Sequence, residues 1–86
     1  MNLRDLIKAG CLHAGEELIW HRRVVKTTHI ALVNADGTLV TSDGISHKTP
    51  SGAAKHLNGN KPVDGWIAWK SKEQGKSLAE LRSQIS

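Results

Sequence analysis

The feature that most limits what this chain can fold into is the density of its turn signals. Gly15, Asn34-Ala35-Asp36-Gly37, Ser42-Asp43-Gly44 and Asn58-Gly59-Asn60-Lys61-Pro62 punctuate it, so no regular element can grow long. The residues between the earlier marks read as short strands. Glu17–Val25 alternates, with Leu18, Trp20 and Arg22 on one face and Ile19, His21 and Arg23 on the other. Thr28–Val33 is rich in β-branched residues. Thr38–Thr41 returns after a turn in which Gly37 supplies a positive φ, and Ile45-Ser46-His47 forms a short fourth strand or edge. Consecutive strands joined by such short loops predict an antiparallel meander.

Helices are marked by their ends. Asn2 caps a short helix that carries Leu3, Leu6 and Ile7 on one face and stops at Gly10. Thr49 is a good N-cap and Pro50 suits the first helical position, giving a helix that runs to Leu57 or Asn58. Ser77-Leu78-Ala79-Glu80 fits a capping box, which predicts a last helix covering Leu78, Leu81 and Ile85. Gly65–Lys70 reads as extended. On a strand, Trp66 and Trp69 point to opposite faces, one into the core and one onto a surface; on a helix both share a face and both are core. The expected fold class is α+β: a small antiparallel sheet, a meander of about four strands plus a later Trp-containing strand, with three short helices. Residues 1–86 are expected to form a single domain.

Composition narrows the function. With no Phe and no Tyr, the bulk of the core must come from Trp20, Trp66, Trp69 and the Leu, Ile and Val residues. The single Cys11 cannot form an internal disulfide, which suits a reducing cytosol. Arg4, Asp5 and Lys8 argue against a signal peptide within Met1–Gly10, and no apolar run approaches the ~20 residues that span a membrane. A cytoplasmic protein with no membrane partner is expected. The formal charge of +4 and pI near 9.6 favour an anionic partner such as nucleic acid.

Enzymatic constellations are poor. His13, His21, His29, His47 and His56 lack the close paired spacing of a zinc site, and one Cys cannot complete a Cys-based one. Asp36, Asp43 and Asp64 sit beside Gly, where turn chemistry explains them. Cys11 and His13 have no third group. No catalysis, metal or cofactor is expected.

Binding chemistry is better supplied. The amides of Ser51, Gly52 and Ala53 lie at a helix start, their side chains are small, and Lys48 and Lys55 flank them. Such an end is a phosphate-binding notch by dipole and donor geometry; the same residues also serve as a plain cap with a small face for close packing. Arg22, Arg23, Lys26, Lys48, Lys55, Lys70 and Arg82 are the cations for a basic face around it, unless they are ordinary solvated charges. An exposed Trp66 or Trp69 adds a stacking plane for a base or its methyl group; otherwise each is core.

Taken together, Thr49-Pro50-Ser51-Gly52-Ala53-Ala54-Lys55, then Asp64-Gly65-Trp66 with Trp69, then Gly75-Lys76-Ser77-Leu78-Ala79-Glu80-Leu81-Arg82, resemble the RAMA domain of restriction systems and adenine methylases. The opening Leu6-Ile7-Lys8-Ala9-Gly10, Leu12 and Gly15-Glu16-Glu17-Leu18 match its usual beginning, so the resemblance covers nearly the whole chain. It implies a DNA-binding module, a reader of methylated (N6-methyl) adenine, working beside a methyltransferase or restriction endonuclease. Carried over by position, Thr49, Ser51, Asp64, Trp66 and Arg82 are its site residues; Lys48, Gly52, Lys55, Arg22 and Arg23 complete the expected DNA contacts. Thr49 stands where the family usually has Ser and keeps the hydroxyl. Asp64 stands where Asn is usual, and a carboxylate cannot replace an amide donor. The alternative class is a protein-interaction or scaffolding domain whose Trp pair and basic face meet an acidic partner protein.

Overall fold

The computed structural model describes residues 2–85. Four of the strands follow the expected meander: β1 Glu17–Arg22, β2 Thr27–Val33, β3 Leu39–Thr41 and β4 Ser46–His47. A fifth, β5 Lys70–Ser71, pairs antiparallel with the free side of β1, giving the order β4-β3-β2-β1-β5. The helices are α1 Leu3–Lys8, α2 Pro50–Leu57, α3 Gly65–Ala68 and α4 Leu78–Ser83. The fold class is the expected α+β.

Register decides which side chains face the helices. The pairs Leu18↔Ala31, Trp20↔His29 and Ala31↔Thr41 put Leu18, Trp20, Ala31 and Val33 on one face. Leu39, opposite Val33, joins them. These meet Leu3, Leu6, Ala53, Trp69, Leu78 and Leu81 from the helical layer in one continuous core. Ile30 and Leu32 lie on the opposite face, largely exposed. The molecule is thus two layers, with the outer face of the sheet open to solvent.

Two expectations are corrected. Gly65–Lys70 is not a strand carrying both indoles. Asp64 caps a single helical turn by accepting the Trp66 N–H at 3.0 Å, and the chain becomes extended only at Trp69. This turn is a fourth helix beside the three expected, and leaves only Lys70 and Ser71 for the strand. The two Trp residues therefore do not share a helical face: Trp69 is wholly buried, while Trp66 sits at the core margin. The last helix covers Leu78 and Leu81 but stops at Ser83, leaving Ile85 beyond it and exposed.

One buried carboxylate ties the sheet edge to the loop before β1. Glu16 accepts hydrogen bonds from the Ser71 hydroxyl, from Gln74 at 2.9 Å and from the His13 N–H at 3.1 Å. Burial works to raise its pKa, but these donors outweigh that and hold it below the ordinary value.

Candidate nucleic-acid interface

The start of α2 is built as the sequence suggests and then closed. Thr49 Oγ1 accepts the Gly52 N–H at 2.9 Å, and the Ala53 N–H donates to the Thr49 carbonyl at 3.1 Å. Gly52 keeps that cap seated, because a Cβ there would stand 2.9 Å from the Thr49 hydroxyl. The backbone of Gly65 lies directly against the Pro50–Ser51 peptide, so closely that any Cβ at Gly65 would overlap it. The Gly65 N–H donates to Ser51 Oγ at 3.0 Å, and the Trp69 indole N–H donates to the Pro50 carbonyl at 3.1 Å. The expected phosphate notch is therefore corrected. Two of its three amides already have acceptors, and α3 is packed over the helix end. Thr49, Ser51 and Gly52 hold α2 to its cap and to α3.

The other expected contacts separate. Asp64 is the N-cap of α3, a task that Asp and Asn perform equally well, which explains the departure from the family pattern. Arg82 lays its guanidinium 4.7 Å above the Trp66 ring, occupying one face of the indole expected to be a stacking plane. Lys48 and Lys55 are exposed on and beside α2. Arg22 is not near Thr49. It reaches the opposite end of α2, donating to the Leu57 carbonyl at 3.3 Å and to Asn58 Oδ1 at 2.6 Å, with its guanidinium over Trp20. Eight helical residues put about 12 Å between the two ends.

Cations do gather elsewhere. Trp20, His21, Arg23, Ile67, Ala68 and Lys70 line a depression of about 270 Å³ between β1 and α3. His21, Arg22, Arg23, Lys26, Thr27 and Thr28 line a second of about 360 Å³ along the β1–β2 hairpin. His21 and Arg23 belong to both, so the two make one continuous strip with no carboxylate in its lining. Lys26 and Lys70, cations that sequence alone cannot order in space, belong to it with Arg23; Ile67 and His21 were not foreseen, and no spacing rule marks them.

The acids explain why this strip stays positive. Of eight Asp and Glu residues, seven are held by groups of the protein itself. Asp5, Asp64 and Glu80 serve helix starts, and Asp36 and Asp43 serve turns. Among the described residues, Lys72 with Glu17 is the only Lys or Arg paired with a carboxylate. The negative charge is engaged locally while most of the positive charge is left facing water.

The histidines do not converge. His56 Nε2 lies 2.7 Å from Asp43 Oδ2, and its ring packs 4.9 Å from that of His47, fastening α2 to the β3–β4 turn. Asp43 is held well below the usual carboxylate range, chiefly by the Thr41 hydroxyl and then by His56. Burial and the neighbouring His56 lower the pKa of His47. Burial and Arg22 do the same to His29, which packs against Trp20. Among the described residues, no group of three or more His, Cys, Asp and Glu side chains is placed to hold a metal ion.

Fold and surface define a small basic α+β module, and in it the motif that runs from Thr49 to Trp69 forms one packed junction. The chain belongs to the RAMA family, Restriction Enzyme Adenine Methylase Associated, whose model matches residues 1–86. The comparison with curated proteins gave no match.

Proposed function

We propose that this domain is a non-catalytic DNA-binding module of a restriction–modification system and that it reads N6-methyladenine. The observation that carries the reading is the strip of Arg23, Lys26 and Lys70, which among the described residues no carboxylate lines and no ion pair neutralises. Lys and Arg placed this way bind phosphates and release the counterions condensed on them, giving affinity that falls steeply with salt. Lys48 and Lys55 add to that field without fixing sequence. The family's association with adenine methylases supports methylated adenine as the feature read.

The test is fluorescence anisotropy with a duplex carrying one N6-methyladenine and with its unmodified twin, each at two salt concentrations. Binding to both is expected, with a log–log salt slope near −3 for about three phosphate contacts and a preference for the methylated duplex. No binding at low salt would remove the DNA reading, and equal binding would remove the methyl reading. The exposed Ile30 and Leu32 on the outer sheet face favour one second reading, a scaffolding role toward a partner protein. Capture of that partner insensitive to nuclease, with no duplex bound, would decide for it.

A further inference from the structure

The β1–β2 ladder is continuous from Glu17↔Leu32 to Arg22↔Thr27, which leaves Arg23, Val24, Val25 and Lys26 as its tip. Val24 is 96% exposed and Val25 50%, although neither side chain has any core to serve there. The tip is ordered by its own bonds. The Lys26 N–H donates to the Arg23 carbonyl at 3.3 Å, and the Thr27 hydroxyl donates to the Val25 carbonyl at 3.1 Å. His21 Nδ1 and Thr28 Oγ1 pair across the strands at 2.9 Å, and Arg22, in the last ladder pair before the tip, braces that end of the hairpin against the end of α2. The result is a stiff two-stranded ribbon ending in two apolar side chains between two cations.

We propose that this tip enters the major groove of a DNA duplex, with Arg23 and Lys26 on phosphates and Val24 and Val25 against methyl groups on the base edges. The proposal rests on the DNA-binding reading above and names the element that carries it out. A two-stranded ribbon fits the ~12 Å major groove and not the ~6 Å minor groove. Both methyl-bearing positions, thymine C5 and adenine N6, open into the major groove, where apolar contact discriminates. An anionic membrane fits the tip less well, since two valines and two cations fall short of what stable anchoring takes.

The experiment uses the same methylated and unmodified duplexes with the whole chain. Arg23→Ala and Lys26→Ala should each weaken binding to both duplexes about three- to tenfold and reduce the salt slope by about one. Val24→Ser should bring a methyl preference of roughly fourfold, the size expected for covering one methyl group, down to about one. Lys8→Ala, on α1, should bind as wild type. If wild type binds DNA and all three tip variants match it, the tip proposal is overturned and the DNA reading stands. If wild type shows no methyl preference, the valine contact with the N6-methyl group is overturned, and Val24→Ser binding as tightly as wild type would overturn the thymine contact as well. An equal loss in Lys8→Ala would also overturn the proposal, by reducing the effect to net charge. No wild-type binding at low salt would remove the DNA reading and the proposal together. Sedimentation with phosphatidylserine vesicles that Val24→Ser abolishes would give the tip to a membrane instead. Unchanged thermal melts by circular dichroism confirm that each variant is folded.

Discussion

The two ends of α2 differ in what their residues face. At its start, Thr49, Pro50, Ser51, Gly65 and Trp69 satisfy one another, and the motif with the most information in the chain is directed inward. Past its end, where Arg22 braces the β1–β2 hairpin, lies a tip with no motif at all, carrying exposed valines and cations that no carboxylate among the described residues pairs. A distinctive sequence pattern therefore marks where backbone meets backbone, because few residue types permit such contact. A binding surface for a polyanion needs only charge and exposure, which many sequences supply.

Gly65→Ala strikes the contrast hardest. A methyl forced into the Pro50–Ser51 peptide meets backbone that cannot swing aside, so the loss should be about 3 kcal/mol or more, read from urea unfolding. A loss below about 1 kcal/mol would break the claim that this junction is closed. Trp69→Phe comes next. It keeps most of the ring but strands the buried Pro50 carbonyl, at about 2 kcal/mol by the same measurement.

Acid should act on the core and junction side of the molecule through groups that the tip lacks. His29 and His47 have folded pKa values held below the ordinary 6.5, so the unfolded chain binds more protons under that pH. Their contribution is present above pH 6.5 and is lost as pH falls through their lowered values. Glu16, Asp36 and Asp43, lowered from 4.5 and 3.8, add a second loss in the more acid range. Urea midpoints at pH 7.5, 5.5 and 3.5 should fall in that order; a midpoint that rises from pH 7.5 to 5.5 contradicts the assignment. The smallest effects sharpen the comparison from the other side. Asp64→Asn exchanges one good cap for another, and Val24→Ser alters a side chain already in water, so each should change stability by less than about 0.5 kcal/mol.

Much of the fold was legible because its signals are local. Turn glycines marked the start of β1 and the turns that join β2, β3 and β4, while β1 stops at Arg22 rather than Val25; Asn2, Thr49 and Ser77 each cap the helix expected of them. Gly65–Lys70 misled because one helical turn is too short for a period to show, and its cause is nonlocal: Gly65 and Trp69 are fixed by Pro50, and Gly65 also by Ser51. The sequence names the cations of the candidate strip but not their arrangement in space. Arg22 and Arg23 are adjacent in sequence yet have different neighbours, the first fastened to the end of α2 and the second lining a depression with Lys70 and Ile67. The tip hid because Arg23–Lys26 contains no Gly, Pro, Asn or Asp, and Val24-Val25 reads as more strand.

The most direct measurement is a ¹H–¹⁵N NMR titration of the labelled domain with a short duplex. The amides of His21 to Thr28, with Ala68 and Lys70, should shift, while Gly52 and Ala53 stay in place. Shifts centred on Ser51 to Ala53, with the hairpin silent, would return the interface to the helix start and contradict the account.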